Sequence, residues 1–161
     1  MPELLTINLT GIKEWQALTQ DMIARAQDLS PVFEVMHEAW VTEMIEQFNT
    51  EGAYYDGEKW EALNPEYAKR KLKKYGPLPI LIRTGRLIKS FIGEGGEHVK
   101  IIRPDYAEFG SSVPYAQRHQ KGTDKMPQRR EIKATDQLKQ VGFHSAVKYI
   151  LKGDAVPSGG H

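Results

Sequence analysis

Apolar and polar residues change their spacing along this chain, and each change of period marks a new element. Leu5, Ile7 and Leu9 alternate with Thr6 and Asn8, the period of two of a half-buried strand, until Thr10-Gly11 breaks it. From Ile12 the apolar positions Trp15, Leu18, Met22, Ala26 and Leu29 recur every three or four residues, which predicts an amphipathic helix with these side chains, Trp15 included, in the core. Ser30-Pro31 restarts the chain: Ser at an N-cap accepts an orphan N–H, and Pro at the first helical position loses no bond. A second helix is predicted from Pro31 to Asn49, with Val32, Met36, Trp40, Met44 and Phe48 on its inner face.

Periodicity then lapses. Residues 50–65 carry Gly52, Tyr54-Tyr55 and Gly57 and read as a loop turning at the glycines, with Trp60 and Leu63 as anchors. Asn64-Pro65 can cap a third, mostly polar helix to Tyr75, which Gly76-Pro77 stops. A short helix is expected from Thr84, with Leu87, Ile88 and Phe91 at helical spacing. Strand-like runs at 97–103 and 106–110, separated by Arg103-Pro104-Asp105, predict an antiparallel hairpin with Val99 and Ile101 on one face. Pro114 opens a helical turn or two that Gly122 ends. Residues 126–132 form a further strand, confined to an edge by Pro127, and Thr135-Asp136 starts a last helix to about Lys152. In it Leu138, Val141, Ala146, Tyr149 and Ile150 point inward, and Gly142 costs about 1 kcal/mol relative to Ala.

The resulting fold class is α+β: an antiparallel sheet of about four strands packed by two or three amphipathic helices, with long loops. Residues 1–153 fit one domain, since a chain near this length buries roughly 68–70% of its unfolded surface, and 154–161, rich in Gly, Pro and Ser, form a flexible tail. Composition narrows the class. A hydrophobic share of 40% with 27% charged residues describes a soluble globular chain, and no apolar run approaches the ~20 residues of a membrane span. The N-terminus has an early acid and no basic region, so a secretory signal is not expected. Zero Cys removes disulfides, thiolate metal sites and Cys nucleophiles together. With 22 basic and 21 acidic side chains there is no global field to steer the protein onto nucleic acid, so local patches must carry any such role.

The densest patch is Lys69-Arg70-Lys71-Leu72-Lys73-Lys74, flanked by Tyr67 and Tyr75. Two readings stand: a solvated or subunit-contact helix face, or a nucleic-acid contact in which each neutralised phosphate adds about 0.9 to the salt slope. A second group, Lys125, Arg129, Arg130 and Lys133, is balanced by Asp124, Glu131 and Asp136 and reads as charge pairing at an interface. The five histidines, His37, His98, His119, His144 and His161, fall in no metal-ligand spacing, and Glu43 with Glu46 reads as a solvated helix-surface acid pair. No nucleophile elbow or phosphate loop is present, and a small enzyme such as an endolysin or nuclease would require convergent acids or histidines in one pocket. Trp60 anchors its loop or faces a partner, and Tyr54 and Tyr55 read as an intersubunit contact.

One ordered set remains: Gly57-Glu-Lys-Trp60, Leu63, Tyr67, Lys71, then Pro79-Ile-Leu-Ile-Arg-Thr-Gly85-Arg-Leu87 and Ser90, then Pro114-Tyr115-Ala-Gln-Arg118-His119-Gln-Lys121-Gly122, Pro127 and Arg129. In order and spacing this resembles the phage virion morphogenesis family, the Mu-like tail-completion proteins. The set departs from the family pattern after Arg129, where Arg130-Glu-Ile-Lys replaces a second Pro and an apolar-Gly stretch. The resemblance implies a structural virion protein without enzymatic activity, cofactor, metal, membrane or small-molecule substrate. It would be assembled in the host cytoplasm and located at the neck or tail end, as a ring, a hexamer by analogy with other junction rings. Its expected partners are copies of itself, the tail tube protein and head-tail connector proteins, with possible contact to packaged DNA. Tyr54, Tyr55, Trp60, Arg118, Lys121, Lys125, Arg129 and Arg130 are the candidate partner contacts. Lys69, Arg70, Lys71, Lys73 and Lys74 are the candidate nucleic-acid or charged-partner contacts, and a nucleic-acid-binding module built on them is the rival function.

Overall fold

The computed structural model describes residues 10–154; the expected strand at 5–9 and tail residues 155–161 lie outside that range. Helices α1 (Ile12–Gln27) and α2 (Ser30–Asn49) follow the predicted periodicity within two residues. The cap between them differs from expectation. Ser30 lies inside α2, Leu29 takes the cap position, and the Asp28 carboxylate accepts the Ser30 N–H at 3.0 Å, a charged acceptor displacing the hydroxyl. The short α3 (Ala53–Asp56) interrupts the expected loop, and α4 (Pro65–Tyr75) starts at Asn64, whose side chain accepts the N–H groups of Glu66 and Tyr67. Then come α5 (Arg86–Ile92), β1 (His98–Arg103), β2 (Tyr106–Ser111), α6 (Ala116–Lys121) and α7 (Asp136–Lys152), the last capped by Thr135.

Trp40, Met44 and Phe48 of α2 form the axis of the core, closed by Leu87 and Phe91 of α5, Trp60 from the loop, Val113 and Ala116. The ring of Trp60 stands edge-on to Phe48 and that of Trp40 edge-on to Phe91. The β1–β2 hairpin pairs His98 with Ser111, Lys100 with Phe109 and Ile102 with Ala107, and Phe109 on this face meets Trp40. Val99 and Ile101 do share a face, but it is the outer one, with Ile101 exposed. Helix α7 lies against α2 where Gly142 meets Met36: a Cβ there would sit 2.7 Å from the sulfur. The glycine that weakens the helix in isolation is thus where the Met36 side chain of α2 fits against α7.

Two expectations need correction. Among the described residues the sheet has two strands, not about four. In the segment expected as a further strand, Met126 makes an isolated bridge to Thr123 and the rest is irregular. The reason lies in where its backbone bonds go. Side chains take the place of a neighbouring strand: Gln120 Oε1 accepts the N–H groups of Glu131 and Ile132, Gln120 Nε2 donates to the Ile132 carbonyl, and the Arg130 carbonyl accepts from both Gln47 Nε2 and Trp60 Nε1. Second, Trp15 is not core but 71% exposed, and no residue of α1 is buried. The stripe exists as predicted, yet Trp15, Leu18 and Ala26 on it are exposed and only Met22 and Leu29 are half-buried among the described residues.

Gly52 joins α2 to α3 at φ 102°, and a Cβ there would lie 2.5 Å from Trp60 Cδ1. Left-handed strain and overpacking against a buried indole act together, so Gly52→Ala should destabilise the fold by about 2–4 kcal/mol, read from urea midpoints at unchanged m-value.

Candidate functional site

The motif segments that stand far apart in sequence meet around one cavity of about 470 Å³. Leu63, Tyr67 and Lys71 come from the approach to α4 and its first turns, Leu81, Arg83 and Leu87 from the loop into α5, Tyr115 and His119 from α6, and Met126, Pro127 and Arg129 from the segment after it. Leu81 holds φ 62°, an uncommon conformation for a branched apolar residue, where the cavity wall turns.

Two cations are built into this wall. Lys71 is buried and donates from Nζ to the carbonyls of Leu78 and Pro79. Arg129, 4% exposed, donates from Nε and Nη2 to the Glu61 carbonyl at 3.1 and 3.0 Å and from Nη2 to that of Ala62. Burial pulls both below their ordinary pKa, with Glu51 and Glu61 partly offsetting it through space. Arg86 forms a two-pronged ion pair with Glu97, while Arg83 and Lys125 stand exposed beside the cavity without an ion pair among the described residues.

The other sequence candidates divide by their surroundings. On α4, Lys69, Arg70, Lys73 and Lys74 face solvent and Lys71 alone turns inward, so the basic run splits between a charged face and a structural anchor. Trp60 is buried, as the anchor reading holds. Tyr54 and Tyr55 are half-buried; the Tyr55 hydroxyl lies 3.9 Å from Met44 Sδ, and burial raises its pKa. The Tyr54 hydroxyl donates to Gln137. Arg118 and Lys121 are exposed on α6. Arg130 and Lys133 converge on Asp56 of α3, rather than on Asp124, Glu131 or Asp136, and tie the irregular segment to the loop. His37 and His98 share a bond between their Nε2 atoms at 3.0 Å, and no group of three or more metal-ligating side chains occurs among the described residues.

A second surface was not singled out in the sequence. Helix α7 exposes Phe143, Val147 and Leu151 at successive turns, and α1, which packs on α7, exposes Ile12, Trp15, Leu18 and Ile23. Phe143 is 67% exposed.

The family model of the phage virion morphogenesis family matches residues 7–146, nearly the whole described chain and all of the convergent segments. The chain belongs to the phage virion morphogenesis family. Comparison with curated proteins and with solved structures found no match. Membership in the phage virion morphogenesis family assigns the protein a part in building a phage particle, and no helix among the described residues is long and apolar enough to cross a membrane.

Sequence reasoning missed two buried acids in this member of the family. Glu43, expected in solvent, is buried against α7, where Thr135 Oγ1 donates to its Oε1 at 2.6 Å. The cap residue of α7 holds it there. Glu131 is 1% exposed, and neither of its carboxylate oxygens has a hydrogen-bond partner among the described residues. Burial raises its pKa from 4.5 to about 8. The folded state therefore holds the proton that the unfolded chain releases, so this group's contribution is complete below pH 4.5 and declines as pH rises to about 8. Glu131→Gln, isosteric with the protonated acid, should stabilise the fold by about 3 kcal/mol at pH 7 and by almost nothing at pH 4, in paired thermal or urea unfolding curves.

Proposed function

We propose that this protein is a structural component of the head-tail junction, closing into a ring that completes the tail and joins it to the head. The observation that supports this is the apolar surface of α1 and α7. Large apolar side chains scattered singly are ordinary on a protein surface, but here two packed helices each expose several of them, Ile12, Trp15, Leu18 and Ile23 on α1 and Phe143, Val147 and Leu151 on α7. A tryptophan buries about 150–250 Å² when covered, so leaving it in water is costly for a monomer and favourable once a neighbour covers it. A closed ring supplies that neighbour through two different faces related by rotation. Six copies, docking to the tail tube protein on one side and connector proteins on the other, is the arrangement proposed by analogy with other junction rings. In this reading residues 1–153 act as one building block with no reaction to catalyse.

The four solvent-facing cations of α4 support a second reading, contact with packaged DNA. Duplex binding by the isolated protein with a salt slope steeper than about three phosphates' worth, near 2.7, would favour it over the architectural one. The architectural reading expects a shallower slope. It also expects native mass measurement at high concentration, or with tail tubes, to show closed rings. Trp15→Glu and Phe143→Glu should each weaken assembly by about 2 kcal/mol per contact, roughly thirtyfold, while the thermal midpoint of the subunit stays unchanged because both side chains are exposed. A wild-type chain that stays monomeric in both settings contradicts the proposal.

A further inference from the structure

The cavity between α4, α5 and α6 has a lining that an internal packing role does not explain. Its side chains include Lys71, Arg83, Arg86, Lys125 and Arg129 and not one carboxylate. Among the described residues, Arg86 alone of these five is neutralised by an ion pair. Lys71 and Arg129 bond to neutral carbonyls, which fixes the direction of each side chain, and Glu51 and Glu61 act on them only through space, from outside the lining. Between the cations the wall is apolar, formed by Leu63, Leu81, Leu87 and Met126. His119 adds a ring whose Nδ1 is buried without a hydrogen-bond partner.

We propose that this groove receives an extended segment of a partner protein in which carboxylates alternate with apolar side chains. This deepens the assembly reading by naming the chemistry of one partner segment, and it does not depend on ring closure. Charge complementarity sets the sign: five cations and no carboxylate line the cavity, and a cluster of one sign favours an anion. The apolar wall sets the class. Extended peptides place alternate side chains on opposite sides, so one row can fill the leucine-lined wall while the other meets the cations. A cavity of about 470 Å³ accommodates a few side chains, whereas a duplex offers phosphates on a wide convex surface and has nothing to fill an apolar recess. The exposed α4 cations suit such a surface better, and they lie outside the lining.

The test uses the whole purified subunit and three probes: an acetylated Leu-Glu-Leu-Glu-Leu amide, the same peptide with Gln for Glu, and single-stranded oligothymidylate. Backbone amide shifts are followed by NMR. The Glu peptide should move the amides of Tyr67, Leu87 and Met126, and the Gln peptide should bind about tenfold more weakly. Arg83→Gln and Lys125→Gln, both exposed and outside the core, should each weaken the Glu peptide about threefold with the fold intact. Equal binding of the two peptides, no shift at the groove with either, or oligothymidylate binding these amides more tightly than the Glu peptide would each overturn the proposal. Because the titration reads the soluble subunit, its failure is separable from a failure to form rings, which native mass measurement reports independently.

Discussion

The strap from Arg129 to Ile132 is the constraint on which the rest of this structure depends. It is irregular backbone lying against the core, and backbone polar groups tolerate that position only when each finds a partner. Gln47 from α2, Trp60 from the loop and Gln120 from α6 supply those partners, and Arg129 reaches back to the Glu61 and Ala62 carbonyls. Four separate parts of the chain are thereby held to one another. Release of the strap would free the indole that closes the core, the wall of the cation-lined cavity and the approach to α7 at the same time. Glu131, buried in the strap, belongs to the same arrangement: its N–H is bonded to Gln120 while its carboxyl has no hydrogen-bond partner among the described residues.

Local signals account for the parts of the fold that were legible beforehand. Asn64 and Thr135 cap helices through their own side chains, and Pro31 and Gly122 mark boundaries for steric reasons that need no tertiary context. The hairpin turn at Pro104-Asp105 is of the same kind. The strap was misread because its sequence matches an edge strand equally well; what decided its conformation was a set of glutamine and tryptophan side chains distant in sequence. Glu43 looked like a surface acid because helical spacing alone says nothing of Thr135, 92 residues away. Trp15 was assigned to the core because amphipathicity reports that a stripe needs covering, not which molecule covers it.

The candidate site was legible in a different sense. Leu63, Tyr67, Lys71, Leu87, Tyr115, Pro127 and Arg129 were recognisable as an ordered set, and the fold brings them around a single cavity. Their common purpose was not readable, since the separation between Lys71 and Arg129 along the chain hides their convergence. The apolar side of α7 was missed outright, because Gly142 and Ser145 carry the buried contact and the larger residues Phe143 and Val147 fall outside it. Helix α7 buries Gly142 and Ser145 and half-buries Leu138, Val141, Tyr149 and Ile150, which leaves Phe143, Val147 and Leu151 exposed. These side chains, with the exposed Trp15 and Leu18 of α1, are the apolar surface on which the proposed assembly rests.

Imaging the neck of intact particles by electron cryomicroscopy tests the central claim most directly. The account predicts a closed ring of this chain between head and tail, with Trp15 and Phe143 covered by the adjoining copy. Particles whose neck lacks the chain, or in which it is bound as isolated subunits with that face open to solvent, would contradict it.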